Sequence, residues 1–371
     1  MRLTMQAQPQ HPGSGCVAVP RSSTIETTEN EILARRKQAI LAHLNQFPFR
    51  PAWWLRNCHA QTIWGPVFRR PPAMDYHKEV WDTPDGDELS MYFYLGDADK
   101  PWLLLMHGLE GHINSFYLPG FNQAFHALGW NVVTLIFRSC DGGINKAKRV
   151  YHMGETSDLD FAVRQLREER GVDKLYIAGM SLGANVLCKW LGELGDNVPD
   201  YVAGAAALSP PFRPEISVSL FERAFFGIYN RRFLGTLIPK ALEKERQFPG
   251  CIDVEKVRNC KSFHVYDTEV TARLHGYRDA VDYWERVGCH QFLASIRVPT
   301  LLTTSADDAF NPADTIPHEI ADASDYLYPL WTTHGGHAGF VYGALPWKAK
   351  YWQEEQLVRF FAALDGGFPT S

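Results

Sequence analysis

From residue 102 onward the chain alternates short apolar runs with helical patterns, and this alternation constrains the fold more than any other feature. The runs lie at 102–106, 131–137, 175–178, 202–208 and 299–303, with a weaker one at 326–331. Each is too short to be a helix and too apolar to leave one side in water. Between them, 154–169 and 184–194 carry helical spacing. Buried strands that alternate with helices build a mostly parallel sheet covered on both faces. Upstream, Asp85-Gly86 lies between alternating segments and predicts a hairpin, with Met91, Phe93 and Leu95 on one face. Residues 211–297 break the pattern: they hold no clear strand and many helical patterns, as expected of a helical cap inserted late in the sheet.

The totals narrow the class. With 371 residues, 45% hydrophobic and 21% charged, the composition is that of a soluble globular enzyme. A net charge of −5 and the lack of a long basic run argue against nucleic acid as a partner. Seven scattered cysteines without a CxxC pair suggest neither a zinc ribbon nor a disulfide framework. They read as reduced thiols, which predicts a cytoplasmic protein. The N-terminus lacks the apolar stretch of a secretory signal, and no apolar run reaches the roughly 18 residues of a membrane helix. No transmembrane segment is expected, and peripheral contact with a membrane stays open. Residues 1–30 read as a disordered tail and 31–371 as one domain that includes the cap. A helix is expected over 27–44, and an irregular aromatic and proline-rich segment over 47–73. No glycine-rich dinucleotide or phosphate loop follows the first strand, so no cofactor is expected.

Gly179-Met180-Ser181-Leu182-Gly183 follows the run at 175–178 and precedes a helical pattern. The five-residue motif alone is weak, but its strand-to-helix context is the mechanism: a sharp turn displays the serine at the top of the sheet. Ser181 is the candidate nucleophile, and the Leu182 amide is placed to face a developing oxyanion. A second donor is expected from the loop after the strand at 102–106, His107-Gly108-Leu109-Glu110-Gly111, with Leu109 N–H as the candidate. The acid should follow in sequence, then the base. Asp307 and Asp308 sit just past the strand at 299–303, at the carboxyl edge of the sheet; Glu215 is a lesser alternative. Adjacent side chains diverge, so one aspartate should reach the histidine and the other hold its own turn. His334 and His337 compete for the base in Thr332-Thr333-His334-Gly335-Gly336-His337. No third ligand lies near them, so no metal is expected.

Several segments together resemble the YheT-like branch of the α/β-hydrolase (abhydrolase-domain) superfamily, bacterial proteins provisionally assigned as esterases and related to eukaryotic lipases. The residues that carry the resemblance are Pro51–Thr62, His107–Gly111, Tyr151–Thr156, Gly179–Asn185, Asp307–Pro312 and Gly335–Phe340. The resemblance implies an α/β-hydrolase fold, the second aspartate, Asp308, as the acid and His337 as the base. Ser139 departs from the family pattern, which has glycine there, and this makes the local backbone a point to check. The implied activity is hydrolysis of carboxylic esters, lipid-like or of short to medium acyl length, through an acyl-enzyme. A thioesterase, amidase or acyltransferase would use the same three residues, and a noncatalytic binding protein is the rival from another class. In the cap, Phe221, Phe225 and Tyr229 are spaced as one aromatic helical face, with Arg231, Arg232, Lys240, Lys244 and Arg246 on or near it.

Overall fold

The apolar runs become the strands of one sheet. A computed structural model describes residues 23–366, with β1 at His77–Asp82, β2 at Glu88–Tyr94, β3 at Trp102–Met106, β4 at Asn131–Ile136, β5 at Leu175–Met180, β6 at Val202–Leu208, β7 at Thr300–Ser305 and β8 at Leu327–Thr332. Their order is β1-β2-β4-β3-β5-β6-β7-β8. The β1–β2 and β2–β4 pairs are antiparallel, and the rest are parallel. Every residue of β4, β5 and β7 is buried, whereas β2 alternates buried and half-buried residues and β1 exposes its edge. A central parallel strand packed on both faces reads as a continuous apolar run, and an antiparallel edge alternates.

Pleating sends neighbouring side chains to opposite layers. Leu103 and Leu105 join Ile40 and Leu44 of α1 (Ser23–Leu44), Phe121 and Phe125 of α3 (Leu118–His126) and the C-terminal helix Trp352–Leu364. Leu104 and Met106 join Leu159 and Val163 of α4 (Ser157–Arg170) and Val186 and Leu187 of α5 (Leu182–Leu194). The fold is therefore a three-layer α/β structure. Helix α1 begins before the expected position, so the last eight residues of the expected tail belong to it, and residues 1–22 lie outside the described residues.

Two expectations fail. The segment 47–73 is not irregular throughout: α2 spans Cys58–Phe68. The Asn57 side chain caps it, accepting the N–H groups of His59 (3.0 Å) and Ala60 (3.2 Å), and Pro66 is tolerated near its end. Nor is there one aromatic helical face in the segment between β6 and β7. Phe221 belongs to α6 (Pro214–Arg223) and Tyr229 to α7 (Ile228–Gln247), and the chain kinks between them with φ of 49° at Phe225 and 56° at Phe226. These positive φ values break the helical register that the spacing of four assumed. Two of the cations in this segment also turn inward: Lys240 reaches Glu110 (2.7 Å), and buried Lys244 donates to the carbonyls of Asn145 (2.6 Å) and Ala147 (2.8 Å). The segment has an apolar centre of its own, including Leu237, Val257, Phe263, Tyr266, Tyr283 and Trp284.

Candidate active site

Ser181 sits where β5 turns into α5, with φ 53° and ψ −114°. A residue with a β-carbon rarely adopts such a backbone, so the surroundings must enforce it. They do so by close packing. A β-carbon on Gly179 would lie 2.4 Å from the Gly183 carbonyl oxygen, and one on Gly183 would lie 2.6 Å from that of His107. The Ser181 N–H donates to the Leu208 carbonyl (2.8 Å), and its own carbonyl accepts Asn185 N–H (3.1 Å), which starts the helix. The side chain is thus presented at the positive end of the α5 dipole.

Three of the sequence candidates meet there. Ser181 Oγ lies 2.8 Å from His337 Nε2, and His337 Nδ1 lies 2.9 and 3.1 Å from the Asp308 carboxylate oxygens. Asp308 and His337 are both buried, and the Phe310 ring lies tilted against the imidazole with its centroid 4.2 Å away. Asp308 also accepts Phe310 N–H (2.7 Å) and Asn311 N–H (3.1 Å). It is therefore Asp308, not its neighbour, that holds its own turn, contrary to expectation. Asp307 instead reaches across to the histidine loop, accepting Gly336 N–H (2.9 Å) and facing exposed His334 (3.2 Å). The two histidines each face a separate aspartate. Glu215 is elsewhere, paired with Arg213 (2.9 Å) at the start of α6.

The loop after β3 lies against the serine: a β-carbon on Gly108 would be 3.2 Å from Ser181 Cβ. Gly108 N–H donates to Tyr117 (2.8 Å), Glu110 N–H to Tyr151 (2.9 Å) and Gly111 N–H to the Gly108 carbonyl (3.0 Å). Leu109 N–H, between them, makes no hydrogen bond with a described residue, and neither does Leu182 N–H at the first position of α5. Both leucines line the same cavity as Ser181.

Sequence reasoning missed the groups that hold this loop and the histidine. His107 is fully buried. Phe137 N–H donates to its Nε2 (3.0 Å), so the proton is on Nδ1 and is donated to the Gly108 carbonyl (2.7 Å). On α2, Thr62 Oγ1 accepts His337 N–H (2.9 Å), and Gln61 clamps Val341 by a bond in each direction (2.6 and 2.9 Å). Ser139, the family departure, has φ 63°, the left-handed region that favours glycine. Its hydroxyl compensates locally, donating to Asn145 Oδ1 (2.7 Å) and accepting Asn145 N–H (3.0 Å).

A second cluster, His152, Glu155 and His275, brings three possible ligand atoms within 4.8 Å of one another. Its donors are already engaged: Arg149 (2.7 Å) and Ser157 bind Glu155, and Gly154 N–H donates to His152 Nδ1 (3.1 Å). The cluster fits a polar cross-brace between the loop before α4 and the segment between β6 and β7 better than a metal centre.

Burial makes several of these groups sensitive to acid. It lowers His107 and His275 from an ordinary 6.5 to about 4, and His152 well below 6.5. The unfolded chain therefore takes up protons between pH 6.5 and 4 that the native state cannot, and stability falls as pH falls through that window. Each of His107 and His275 accounts for roughly 2 kcal/mol between pH 7 and 5. Asp267, pushed up to about 6 by burial, works in the opposite direction over the same range. The expected net loss is about 2 kcal/mol or more, read from urea unfolding at the two pH values. Equal unfolding midpoints at pH 7 and 5 would rule this out.

Ser181 and His337 open onto a cavity of about 790 Å³. Its far walls come from the segment between β6 and β7, with Val218, Phe221, Phe233 and Leu237 facing it. Among the described residues, six cysteines are free and no helix is long and apolar enough to cross a membrane.

A family model described as the alpha/beta hydrolase fold matches residues 101–250. The Escherichia coli (strain K12) protein YheT, provisionally named an esterase, is 35% identical over 302 residues, which is 80% of this chain and 88% of that one. The Mus musculus phospholipase ABHD3 is 27% identical over 312 residues, covering 82% of this chain and 75% of its own. A solved structure of the Pyrococcus furiosus esterase Pf2001 superposes with a TM-score of 0.48 at 16% identity, over 72% of this chain and 89% of that one.

Proposed function

This chain belongs to the YheT-like branch of the α/β-hydrolase superfamily, and from that premise we propose that it is a carboxylic ester hydrolase working through an acyl-enzyme on Ser181. The observation that carries the reading is the unbroken relay from Ser181 Oγ to His337 (2.8 Å) to Asp308 (2.9 Å) on a strained turn at a helix N-terminus.

In this reading His337 Nε2 takes the hydroxyl proton as Ser181 Oγ attacks the ester carbonyl. Asp308 keeps the Nδ1–H tautomer in place and stabilises the imidazolium that forms. The Leu109 and Leu182 amides receive the negative charge on the carbonyl oxygen, at a site next to the α5 dipole. His337 then protonates the departing alcohol. Water, deprotonated by the same histidine, releases the acid and regenerates Ser181. The apolar lining of the cavity supports an acyl chain as the group held there. The name of the mouse relative, a phospholipase, points to a lipid ester. Residues 211–297 act as a cap over the site.

A fluorophosphonate probe tests the chemistry. Folded protein is expected to label at Ser181 and to hydrolyse p-nitrophenyl esters with a preference for some chain length, faster than amide or acyl-CoA controls. If Ser181 stays unlabelled while a control hydrolase reacts, the enzyme reading fails and a binding protein on the same fold takes its place.

A further inference from the structure

We propose that the rim of the cavity is a docking surface for an anionic lipid bilayer. Two segments distant in sequence form it. One is the end of α2 and the prolines after it, which contribute Pro66, Val67 and Pro71 to the cavity; the other is the kink at Ala224–Gly227 with the first turns of α7, which contribute Ile228 and Arg232. Both line the same cavity, and the start of α2 meets the kink, the His59 ring lying 5.0 Å from that of Phe225.

Both segments display large apolar side chains to water. Val67 is 48% exposed, Phe68 59% and Phe226 87%. Phe226 is the most informative. Its backbone has φ 56°, next to Phe225 at 49°, a conformation that bulky residues rarely adopt. The chain holds a strained turn and presents the ring to solvent instead of burying it. Among the described residues nothing covers it.

Charge selects the occupant. The chain has 42 acidic and 37 basic residues, yet residues 56–74 contain Arg56, Arg69 and Arg70 with no acid, and residues 224–240 contain Arg231, Arg232 and Lys240 with no acid. Arg69 and Lys240 are paired, with Glu354 and Glu110. Arg56, Arg70, Arg231 and Arg232 make no ion pair with a described residue, in a protein of net charge −5. Unpaired arginines interleaved with exposed phenylalanines match a surface that is anionic above and apolar below, which a bilayer with acidic headgroups supplies. Because the rim surrounds the cavity mouth, docking there would let an ester pass from the bilayer to Ser181 without crossing water; that consequence rests on the hydrolase reading, while the docking does not.

The test uses the full chain carrying Ser181→Ala, sedimented with vesicles of phosphatidylcholine alone or of equal parts phosphatidylcholine and phosphatidylglycerol. Binding is expected to the acidic vesicles and to weaken with salt. Adding Phe68→Ser with Phe226→Ser, or Arg70→Ser with Arg231→Ser, should each weaken it about tenfold or more, with thermal unfolding unchanged as the folding control. No binding to acidic vesicles overturns the proposal. So does unchanged binding by the phenylalanine variant, which would leave a basic patch that an acidic protein fits equally well. The hydrolase reading is scored separately, by labelling of the wild-type serine in solution.

Discussion

Replacing Ser181 by alanine is expected to lower kcat on a water-soluble p-nitrophenyl ester by about 10⁵-fold or more, with KM little changed. The size follows from what is removed. Alanine keeps the β-carbon, so the turn at φ 53° and the packing of Gly179 and Gly183 remain as they are. Leu109 and Leu182 still line the cavity, and Asp308 still holds His337. Only the hydroxyl proposed to form the covalent bond is gone, and residues that act as a unit lose nearly all their effect when the nucleophile is lost. A parallel variant checks the backbone. Ser181→Gly should be as inactive as the alanine variant but more stable by roughly 1 kcal/mol, because glycine adopts positive φ without strain. Activity retained in either variant would mean that the ester is cleaved at another site.

Much of this site is legible in the amino-acid sequence. The apolar runs gave the strands within two residues at most ends, because a buried parallel strand has no polar face to blur it. The serine motif was informative for the same reason, since β5 before it and α5 after it both carry strong patterns. What escaped notice depends on contacts between distant segments. Thr62 and Gln61 hold the histidine loop from 275 and 280 residues away in sequence. No local pattern announces that, although Asn57 was a usable cap signal for α2. His107 stands in plain view in the loop after β3, but its role comes from a bond to Phe137, just past the end of the neighbouring strand β4. The spacing of Phe221, Phe225 and Tyr229 misled because periodicity assumes an unbroken helix. The kink that breaks it is the same feature that exposes Phe226.

The paired aspartates carry the second large expected effect. Motif logic left Asp307 and Asp308 equal, and the family resemblance chose Asp308. The geometry explains the ambiguity, because there are two acid–histidine pairs, Asp308 with buried His337 and Asp307 with exposed His334. Asp308→Asn should lower kcat by about 10⁴-fold. Its carboxamide oxygen can still accept the Phe310 and Asn311 N–H groups, so the turn survives. Its NH₂ would then face His337 Nδ1 and favour the tautomer with the proton on Nε2, which cannot take the Ser181 proton. Asp307→Asn should cost far less. The asparagine oxygen can still accept Gly336 N–H, and the lost partner is a histidine that does not touch Ser181. The comparison also has a structural control, since both variants should unfold near the wild-type temperature if the turns are intact. Equal losses in the two variants would mean that the loops act as one unit, and a larger loss at Asp307 would reverse the assignment. Either result would leave Ser181 in place and change which carboxylate orients its base.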